Sequence, residues 1–293
     1  MERSLLSSFF LMLIIFPSLI QLHKPIQAED EKYRQCKDSF ITCGNFTNLG
    51  YPFYDDEDRP EYCGYPGFKV DCSDGMPEIS MSHEDRYDIS GVSMSTTQKF
   101  YLLDINYTSH TVSVAREDYW ENDCPKDVLN TTINFTLFTY TSNDKNVTIY
   151  YQCSYQTMVS PYQFSCPDGI NGYFAPNAPD MTLASICTTS IFVPVYQTAA
   201  SYITGNTTLP GALRSGFELQ WSAKNDRCDE CSRSGGACGY DPNLKKFTCY
   251  CADGANESNC NGMSALLPQF LLLLPIPLIC FSSMPCNISY PFV

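Results

Sequence analysis

The side chains that could do chemistry in this 293-residue chain are sixteen cysteines, three histidines and several runs of carboxylates. A serine or cysteine nucleophile needs a histidine that a carboxylate holds in place. His83 has Glu84 and Asp85 beside it in the run SHEDRYD, but neighbours in sequence do not make a triad. His110 lies in an unrelated polar stretch. We expect a solvated loop histidine at position 83 and no nucleophilic centre.

Carboxylates alone could support glycoside hydrolysis, which needs two of them flanking a sugar. The runs YDDEDRPE and EDYWEND supply many candidates, but no motif separates a general acid from a base. We therefore expect that the protein is not an enzyme. The acidic residues 55–58 are expected to form a solvated loop that aids solubility. The alternative is a calcium site that bridges protein carboxylates to uronic acids. It lacks the Asp-X-Asp-X-Asp-Gly loop pattern, so we expect no resident cofactor or metal.

The N-terminal residues indicate an oxidising compartment. Arg3 precedes an apolar run at residues 5–20, and the small residue Ala28 follows a polar stretch. This pattern predicts a secretory signal peptide over residues 1–28, with a signal anchor as the alternative. In the secretory pathway, disulfides are the default state of cysteines.

Fourteen cysteines lie between residues 36 and 260, an even number, so all of them are able to pair. Their spacing does not show which cysteine bonds to which. A zinc ribbon is the alternative for Cys228-X-X-Cys231, but a second Cys-X-X-Cys is missing, because Cys249 and Cys251 are only two apart. The predicted disulfide cysteines are Cys36, Cys43, Cys63, Cys72, Cys124, Cys153, Cys166, Cys187, Cys228, Cys231, Cys238, Cys249, Cys251 and Cys260.

Seven Asn-X-Ser/Thr sequons lie between the predicted signal peptide and residue 260. One such triplet arises easily by chance, but seven, together with an even set of cysteines, indicate an extracellular glycoprotein. The predicted glycosylation sites are Asn45, Asn106, Asn130, Asn134, Asn146, Asn206 and Asn256.

The formal net charge of −14 makes nucleic acid an unsuitable partner, since its phosphates would be repelled. The same charge weighs against simple attraction to any polyanion. An anionic ligand therefore needs local cations or a bridging ion.

The residue pattern predicts a mainly β fold of small disulfide-rich modules. Runs at residues 100–107 and 111–118 alternate apolar and polar residues around the short connector TSH, which predicts a hairpin. Runs at 133–140 and 147–153 repeat the pattern around TSNDKN. We predict two cystine-stapled β-rich extracellular modules, at residues 36–118 and 124–260, with an EGF-like cysteine knot at the end of the second.

Specific motifs add a family resemblance. The segments CGNFTNLGYPF (43–53) and CGYPGFKVDC (63–72) resemble the cysteine-rich galacturonan-binding module of plant wall-associated receptor kinases. YLLDINY and VSVARED are similar to the next two strands of that family. The segments SGGACGY and FTCYCADG resemble the C-terminal module of leaf-rust-resistance-type receptor kinases. The 293 residues contain no Gly-rich ATP loop, Val-Ala-Ile-Lys, His-Arg-Asp or Asp-Phe-Gly motif, so the resemblance covers the ectodomain without a kinase.

The resemblance implies binding of pectic polysaccharide, and the residues offer a physical route to it. Flat aromatic rings pack on the C–H faces of sugars, and arginine or lysine meets uronate carboxylates. We expect Phe53 and Phe68 to be core residues instead. The predicted ligand contacts are Tyr51, Tyr54, Tyr65, Arg59, Lys69, Arg86 and Arg116.

The C-terminal tail has three interpretations. Residues 264–281 are apolar and uncharged, which suits a membrane helix or the signal for a lipid anchor. Residues 282–293 contain CNISYPF and resemble the start of another galacturonan-binding module, so a truncated or misjoined reading frame is the third interpretation.

These patterns together predict a non-catalytic polysaccharide-binding ectodomain, either secreted or at the extracellular face of the plasma membrane and cell wall. It would work through a receptor kinase in trans or as a soluble competitor. The alternative is a co-receptor ectodomain that recognises a peptide or another receptor.

Overall fold

The computed structural model of the chain describes residues 29–87, 93–154, 162–166, 171–176, 178–203 and 208–260. The predicted signal peptide and both predicted tail segments, 264–281 and 282–293, lie outside these residues. Within the described ranges, no helix is both long enough and apolar enough to cross a membrane.

The fold is mainly β, as predicted. In the described part of the chain, five short α-helices and two 3-10 turns (Glu61–Cys63 and Glu117–Tyr119) accompany the strands. The α-helices are α1 (Glu31–Asp38), α2 (Met181–Ile186), α3 (Gln197–Tyr202), α4 (Leu209–Ser215) and α5 (Asn225–Arg233). The strands are β1 (Ile41–Cys43), β2 (Phe46–Leu49), β3 (Val70–Asp71), β4 (Glu78–Tyr87), β5 (Ser93–Asn106), β6 (Thr111–Arg116), β7 (Phe138–Tyr140), β8 (Asp144–Cys153), β9 (Gln163–Ser165), β10 (Asn171–Ala175), β11 (Cys187–Tyr196), β12 (Phe217–Trp221), β13 (Ala237–Asp241), β14 (Lys246–Cys251) and β15 (Gly254–Asn256).

The largest sheet is antiparallel and has the strand order β3-β4-β5-β6-β12-β7. The predicted hairpin is confirmed, because β5 pairs with β6 and the two strands meet at the turn that ends with His110. The expectation of a loop at His83 is wrong, since its backbone lies in β4, paired with Thr96 of β5. β12 lies about 100 residues after β6 in sequence, yet Phe217 pairs with Val114.

Aromatic rings fill the core of this sheet. Phe53 and Phe68 have no exposed surface, which confirms their prediction as core residues. Their ring centroids lie 5.7 Å apart, edge to face, and Phe53 meets Trp221 of β12 at 5.8 Å. Trp221 is 2% exposed. The last strand of the sheet to be synthesised therefore contributes directly to the core of the first part of the chain.

The second sheet has the order β11-β8-β10-β9. β8 confirms the strand predicted at 147–153, but the predicted partner run at 133–140 does not pair with it. The carbonyl of Asn134 accepts hydrogen bonds from the N–H groups of Leu137 and Phe138, which folds residues 134–138 into a turn. Only the three residues of β7 remain extended, and these pair with β12 in the first sheet.

A small third sheet, β13-β14-β15, packs with α5 around the last six cysteines. All fourteen predicted cysteines pair, and the last six pair only among themselves, so this element is a self-contained disulfide-rich knot. The disulfides are Cys36–Cys63, Cys43–Cys72, Cys124–Cys166, Cys153–Cys187, Cys228–Cys238, Cys231–Cys249 and Cys251–Cys260.

Two buried tyrosines in the hydrophobic core beside the second sheet predict a loss of stability at alkaline pH. The hydroxyls of Tyr119 and Tyr151 lie 3.1 Å apart, and the Tyr151 hydroxyl donates to the Asp123 carbonyl. Burial raises the pKa of Tyr119 from 10.0 to about 12, and burial also raises the pKa of Tyr151. Between about pH 10 and pH 12 the unfolded chain therefore binds fewer protons than the folded chain, so the free energy of unfolding falls as pH rises.

Denaturant unfolding at pH 8, 9, 10 and 11 measures this effect. We expect little change up to pH 9 and a progressive decline above pH 10. The double variant Tyr119→Phe with Tyr151→Phe should decline less steeply, since it lacks the two phenols. Equal slopes for the two proteins would contradict the assignment to this pair.

Candidate functional site

A cleft of about 440 Å³ opens between the N-terminal part of the chain and the disulfide-rich knot. One wall comes from the end of α1 and the loop after it, from β2, and from the turn between β5 and β6. The other wall comes from α5 and the start of β13. We call it the Trp221 cleft, after the residue at its floor; its lining includes Lys37, Phe40, Tyr107, Trp221, Asn225 and Asp229.

Aromatic rings give the Trp221 cleft a surface suited to sugars. The rings of Tyr107 and His110 lie 6.0 Å and 5.8 Å from Trp221, both edge to face. Phe40 is 47% exposed and Tyr107 is 40% exposed. The Tyr107 hydroxyl accepts a hydrogen bond from the N–H of Gly50 at 2.8 Å, and the loss of water around the phenol raises its pKa. Tyr107 is therefore fixed at its hydroxyl end while part of its ring remains open to a ligand.

Charged groups at the cleft are few and mixed in sign. Lys37 is exposed, and its ammonium donates to the Tyr33 hydroxyl, which raises the lysine pKa. Nε2 of His110 lies 3.8 Å from Oδ1 of Asp229. Arg59 also lines the cleft, but its side chain is buried. The cleft thus has cationic groups despite the negative charge of the whole chain.

Two disulfides border the Trp221 cleft and fix its walls. Cys36 bonds to Cys63 behind the α1 wall, and Cys228 bonds to Cys238 in the opposite wall. The side chain of Asn225 joins the second wall to the floor, because its Nδ2 donates to the Trp221 carbonyl at 2.8 Å. A cleft held in this way loses little conformational freedom when a ligand binds.

Two of the predicted contacts, Tyr51 and Arg59, line this cleft. Tyr51 is half-buried, and its hydroxyl donates to the carbonyl of Ala223. Its ring packs edge to face on Tyr65 and on Phe247 of the knot. Tyr51 therefore joins the two walls, and only part of it faces the cleft.

The guanidinium groups of Arg59 and Arg116 are both used within the protein. Arg59 is 2% exposed and donates to the carbonyls of Phe53, Cys36, Ser39 and Cys63. Burial lowers its pKa from 12.5 to about 10, so it remains charged at neutral pH.

Arg116 is 3% exposed and holds Asp118 through two hydrogen bonds of 2.9 and 2.6 Å. It also donates to the carbonyl of Leu129. Both arginines therefore hold parts of the protein together, and their burial leaves little guanidinium surface for a ligand. Their contact with a ligand stays a prediction.

Tyr54, Tyr65 and Lys69 are not among the residues that line the cleft. Tyr54 is 9% exposed, and Tyr65 is half-buried against Tyr240 and Phe68. Lys69 is exposed and pairs with Asp56 at 2.6 Å. The backbone of Arg86 lies in β4, and its side chain is outside the described part of the structure.

Sequence reasoning missed Lys37, Phe40, Tyr107 and Trp221 as members of one site. These residues are up to 184 positions apart, and the pairing of β12 with β6 brings Trp221 to the turn that begins at Tyr107. One usable signal was present, because Tyr107 ends an alternating strand directly before a polar turn, where a side chain tends to be exposed.

The acidic residues weighed as a calcium site make contacts within the protein. Asp55 Oδ1 accepts from the N–H groups of Asp58 and Arg59, while Asp56 turns to Lys69. Among the described residues, the single cluster with metal-ligand spacing is Cys249, Cys251 and Cys260. All three sulfurs are in disulfides, and so are Cys228 and Cys231, the pair weighed as half of a zinc ribbon. Calcium bridging stays a prediction.

A glycan needs an exposed asparagine side chain, and four of the seven sequon asparagines are exposed. Asn45, Asn106, Asn130 and Asn146 are exposed, while Asn134 and Asn256 are half-buried. Asn206 is outside the described residues. Oδ1 of Asn106 accepts hydrogen bonds from the N–H groups of Thr108 and Ser109 in the turn after β5.

Comparisons with known proteins agree with the sequence motifs. Residues 36–116 match the family model described as wall-associated receptor kinase galacturonan-binding, and residues 170–254 match wall-associated receptor kinase C-terminal. The walls of the Trp221 cleft thus come from both matched regions. No solved structure matches the chain.

Curated relatives include several leaf rust 10 disease-resistance locus receptor-like protein kinases of Arabidopsis thaliana. The protein kinase-like 2.1 is 32% identical over 95% of this chain and 43% of its own length. The 2.5 protein is 30% identical over 77% of this chain and 35% of its own length, and the 1.2 protein is 28% identical over 85% and 36%. The chain spans less than half the length of these relatives, and the 293 residues contain no kinase domain.

Proposed function

Because the chain carries the two extracellular domains of the wall-associated receptor kinases and is homologous to the leaf rust 10 receptor-like kinases over that region, we propose that it binds pectic polysaccharide in the Trp221 cleft. The observation that carries the proposal is the combination of exposed rings and an exposed ammonium in one disulfide-fixed cleft. Phe40 and Tyr107 would stack on sugar faces, and Lys37 would meet a uronate carboxylate.

The local charge answers the objection that a protein of net charge −14 should repel a polyanion. A polyanion responds mainly to charges within about one Debye length, which is about 8 Å at physiological ionic strength. Among the described residues that line the cleft, Lys37 and the buried Arg59 are cationic and Asp229 supplies the one carboxylate. Asp229 is in turn close to His110. Binding should accordingly weaken as salt increases.

We propose that binding occurs without catalysis, outside the cell or at the plasma membrane. The chain would act as an ectodomain that works through a receptor kinase in trans, held at the membrane by its C-terminal tail, or as a soluble competitor. In the alternative function, as a co-receptor, the same cleft would bind a peptide or another receptor.

The first test replaces one cation. Lys37→Gln should weaken binding of de-esterified oligogalacturonide by about tenfold, because a charge-assisted hydrogen bond contributes about 1.5 kcal/mol and 1.4 kcal/mol is a factor of ten. Lys246→Gln is the matched control, since it removes an exposed lysine that does not line the cleft and is not among the predicted contacts. Titration calorimetry of the secreted glycoprotein measures both.

Equal weakening by the two substitutions would show general electrostatic attraction and would contradict the cleft as the site. Repeating the titration with a calcium chelator tests calcium bridging, and release of reducing sugar from pectin tests catalysis. Failure to bind any glycan on an array, together with capture of a receptor ectodomain, would favour the co-receptor function.

A further inference from the structure

An exposed aromatic patch lies at the open edge of the largest sheet. Phe135 is 58% exposed and Tyr140 is 38% exposed, and their ring centroids are 6.1 Å apart. Tyr140 belongs to β7, the outer strand that follows β12 in the strand order of that sheet. Its ring also lies 5.9 Å from Phe217 in the core. Open strand edges with apolar side chains invite pairing with other chains, and folded proteins usually cover them.

A sequon adjoins this patch. Asn134-Phe135-Thr136 forms the triplet, so Phe135 is its middle residue. Oδ1 of Asn134 accepts hydrogen bonds from the backbone N–H of Thr136 at 3.0 Å and from its hydroxyl at 2.6 Å. Both of these hydrogen bonds use Oδ1. Nδ2, the atom that carries an N-linked glycan, takes no part in them.

Not every sequon has this arrangement. Nδ2 of Asn256 donates to Sγ of Cys251 at 3.3 Å, inside the disulfide-rich knot. Asn146 is exposed on β8, an interior strand of the second sheet, with Lys145 and Val147 as its strand neighbours. These two positions show that an exposed ring beside the asparagine is not a general property of the sequons.

A related arrangement occurs on an outer strand of the second sheet. Oδ1 of Asn130 accepts from the N–H of Phe192 at 2.8 Å, and the N–H of Thr131 donates to the Phe192 carbonyl. Phe192 is 42% exposed and belongs to β11, an edge strand of the second sheet. Two edge strands of two different sheets therefore each place an exposed aromatic ring beside the asparagine of a sequon.

We propose that the N-glycan on Asn134 is a structural cover, with its first sugars packed on Phe135 and Tyr140 over the edge of β7. The glycan on Asn130 covers Phe192 in the same way. The C–H faces of N-acetylglucosamine suit an aromatic surface, and its hydroxyls remain in water, so the covered edge presents a hydrated surface. Asn134 and Phe135 are adjacent in the chain, so the first sugars are within reach of the ring.

A double-variant cycle on the secreted glycoprotein tests the proposal. Asn134→Gln removes the glycan, and Phe135→Ser removes the ring while it keeps the Asn-X-Thr triplet. Asn134→Gln should lower Tm by about 2–4 °C in the native background, as expected for a packed ring in a protein of this size. In the Phe135→Ser background the same change should leave Tm unaltered. Asn146→Gln is the matched control and should also leave Tm unaltered.

Peptide mapping and size-exclusion chromatography complete the test. Should Asn134→Gln fail to be secreted, glycosidase treatment of the folded native and Phe135→Ser proteins gives the same comparison, with the larger Tm loss expected in the native protein. An unoccupied Asn134, or equal Tm losses in both backgrounds, would overturn the proposal. So would a glycosylated native dimer that Phe135→Ser converts to a monomer, since a second copy would then be the cover.

Discussion

Arg59→Met is expected to lower the free energy of unfolding by about 4 kcal/mol, with a fall in Tm of about 10 °C. The guanidinium is buried and donates to four carbonyls of the N-terminal region, at distances from 2.6 to 3.1 Å. Methionine fills a similar volume but has no donor, so these carbonyls lose their charged partner in a place that water does not easily reach.

Thermal and denaturant unfolding of the Arg59→Met protein measure this loss. Lys69→Met is the matched control and should cost less than about 1 kcal/mol, because its ion pair with Asp56 is exposed. The opposite pattern, with intact stability and weakened pectin binding in Arg59→Met, would show that the ligand contact predicted from sequence is right.

The second large effect is expected at Gly236, inside the disulfide-rich knot. A Cβ atom added there would lie 2.5 Å from Sγ of Cys249 and 2.7 Å from Sγ of both Cys231 and Cys260. Each of these sulfurs is held in a disulfide, Cys231–Cys249 or Cys251–Cys260, and has little freedom to move. Gly236→Ala should therefore cost about 3 kcal/mol and promote incorrect disulfide pairing.

Gly50→Ala provides the control for this prediction. Its added Cβ would meet the Phe40 ring at 3.5 Å, an ordinary contact, and the backbone N–H to Tyr107 would be kept. We expect a small effect on unfolding and native disulfides in a peptide map. Native stability and native pairing in Gly236→Ala would refute the close packing of sulfurs in the knot.

Local features of the fold were predictable because they depend on neighbours in sequence. Alternation of apolar and polar residues predicted β5 and β6, and the secretory pattern with an even cysteine count predicted that the thiols are oxidised. The same local logic placed Phe53 and Phe68 in a small core, where both are completely buried.

Long-range features were not predictable in this way. Nothing in the run FELQW indicates that it pairs with β6, since any alternating strand of the chain presents the same edge. Because Trp221 arrives with that strand, the cleft could not be assembled from sequence. Burial could not be predicted from charge either, because Arg59 and Arg116 are buried through carbonyls and a carboxylate that only the fold brings to them.

The pairing of β12 with β6 also has a consequence for biosynthesis. At about 5–20 residues per second, ribosomes need roughly 5–20 s to make the hundred or so residues that separate these two strands. During that interval β6 of the nascent N-terminal region has β5 as a partner but not β12, and the core lacks the indole of Trp221. The folding of this core would therefore be completed only after the later strand emerges.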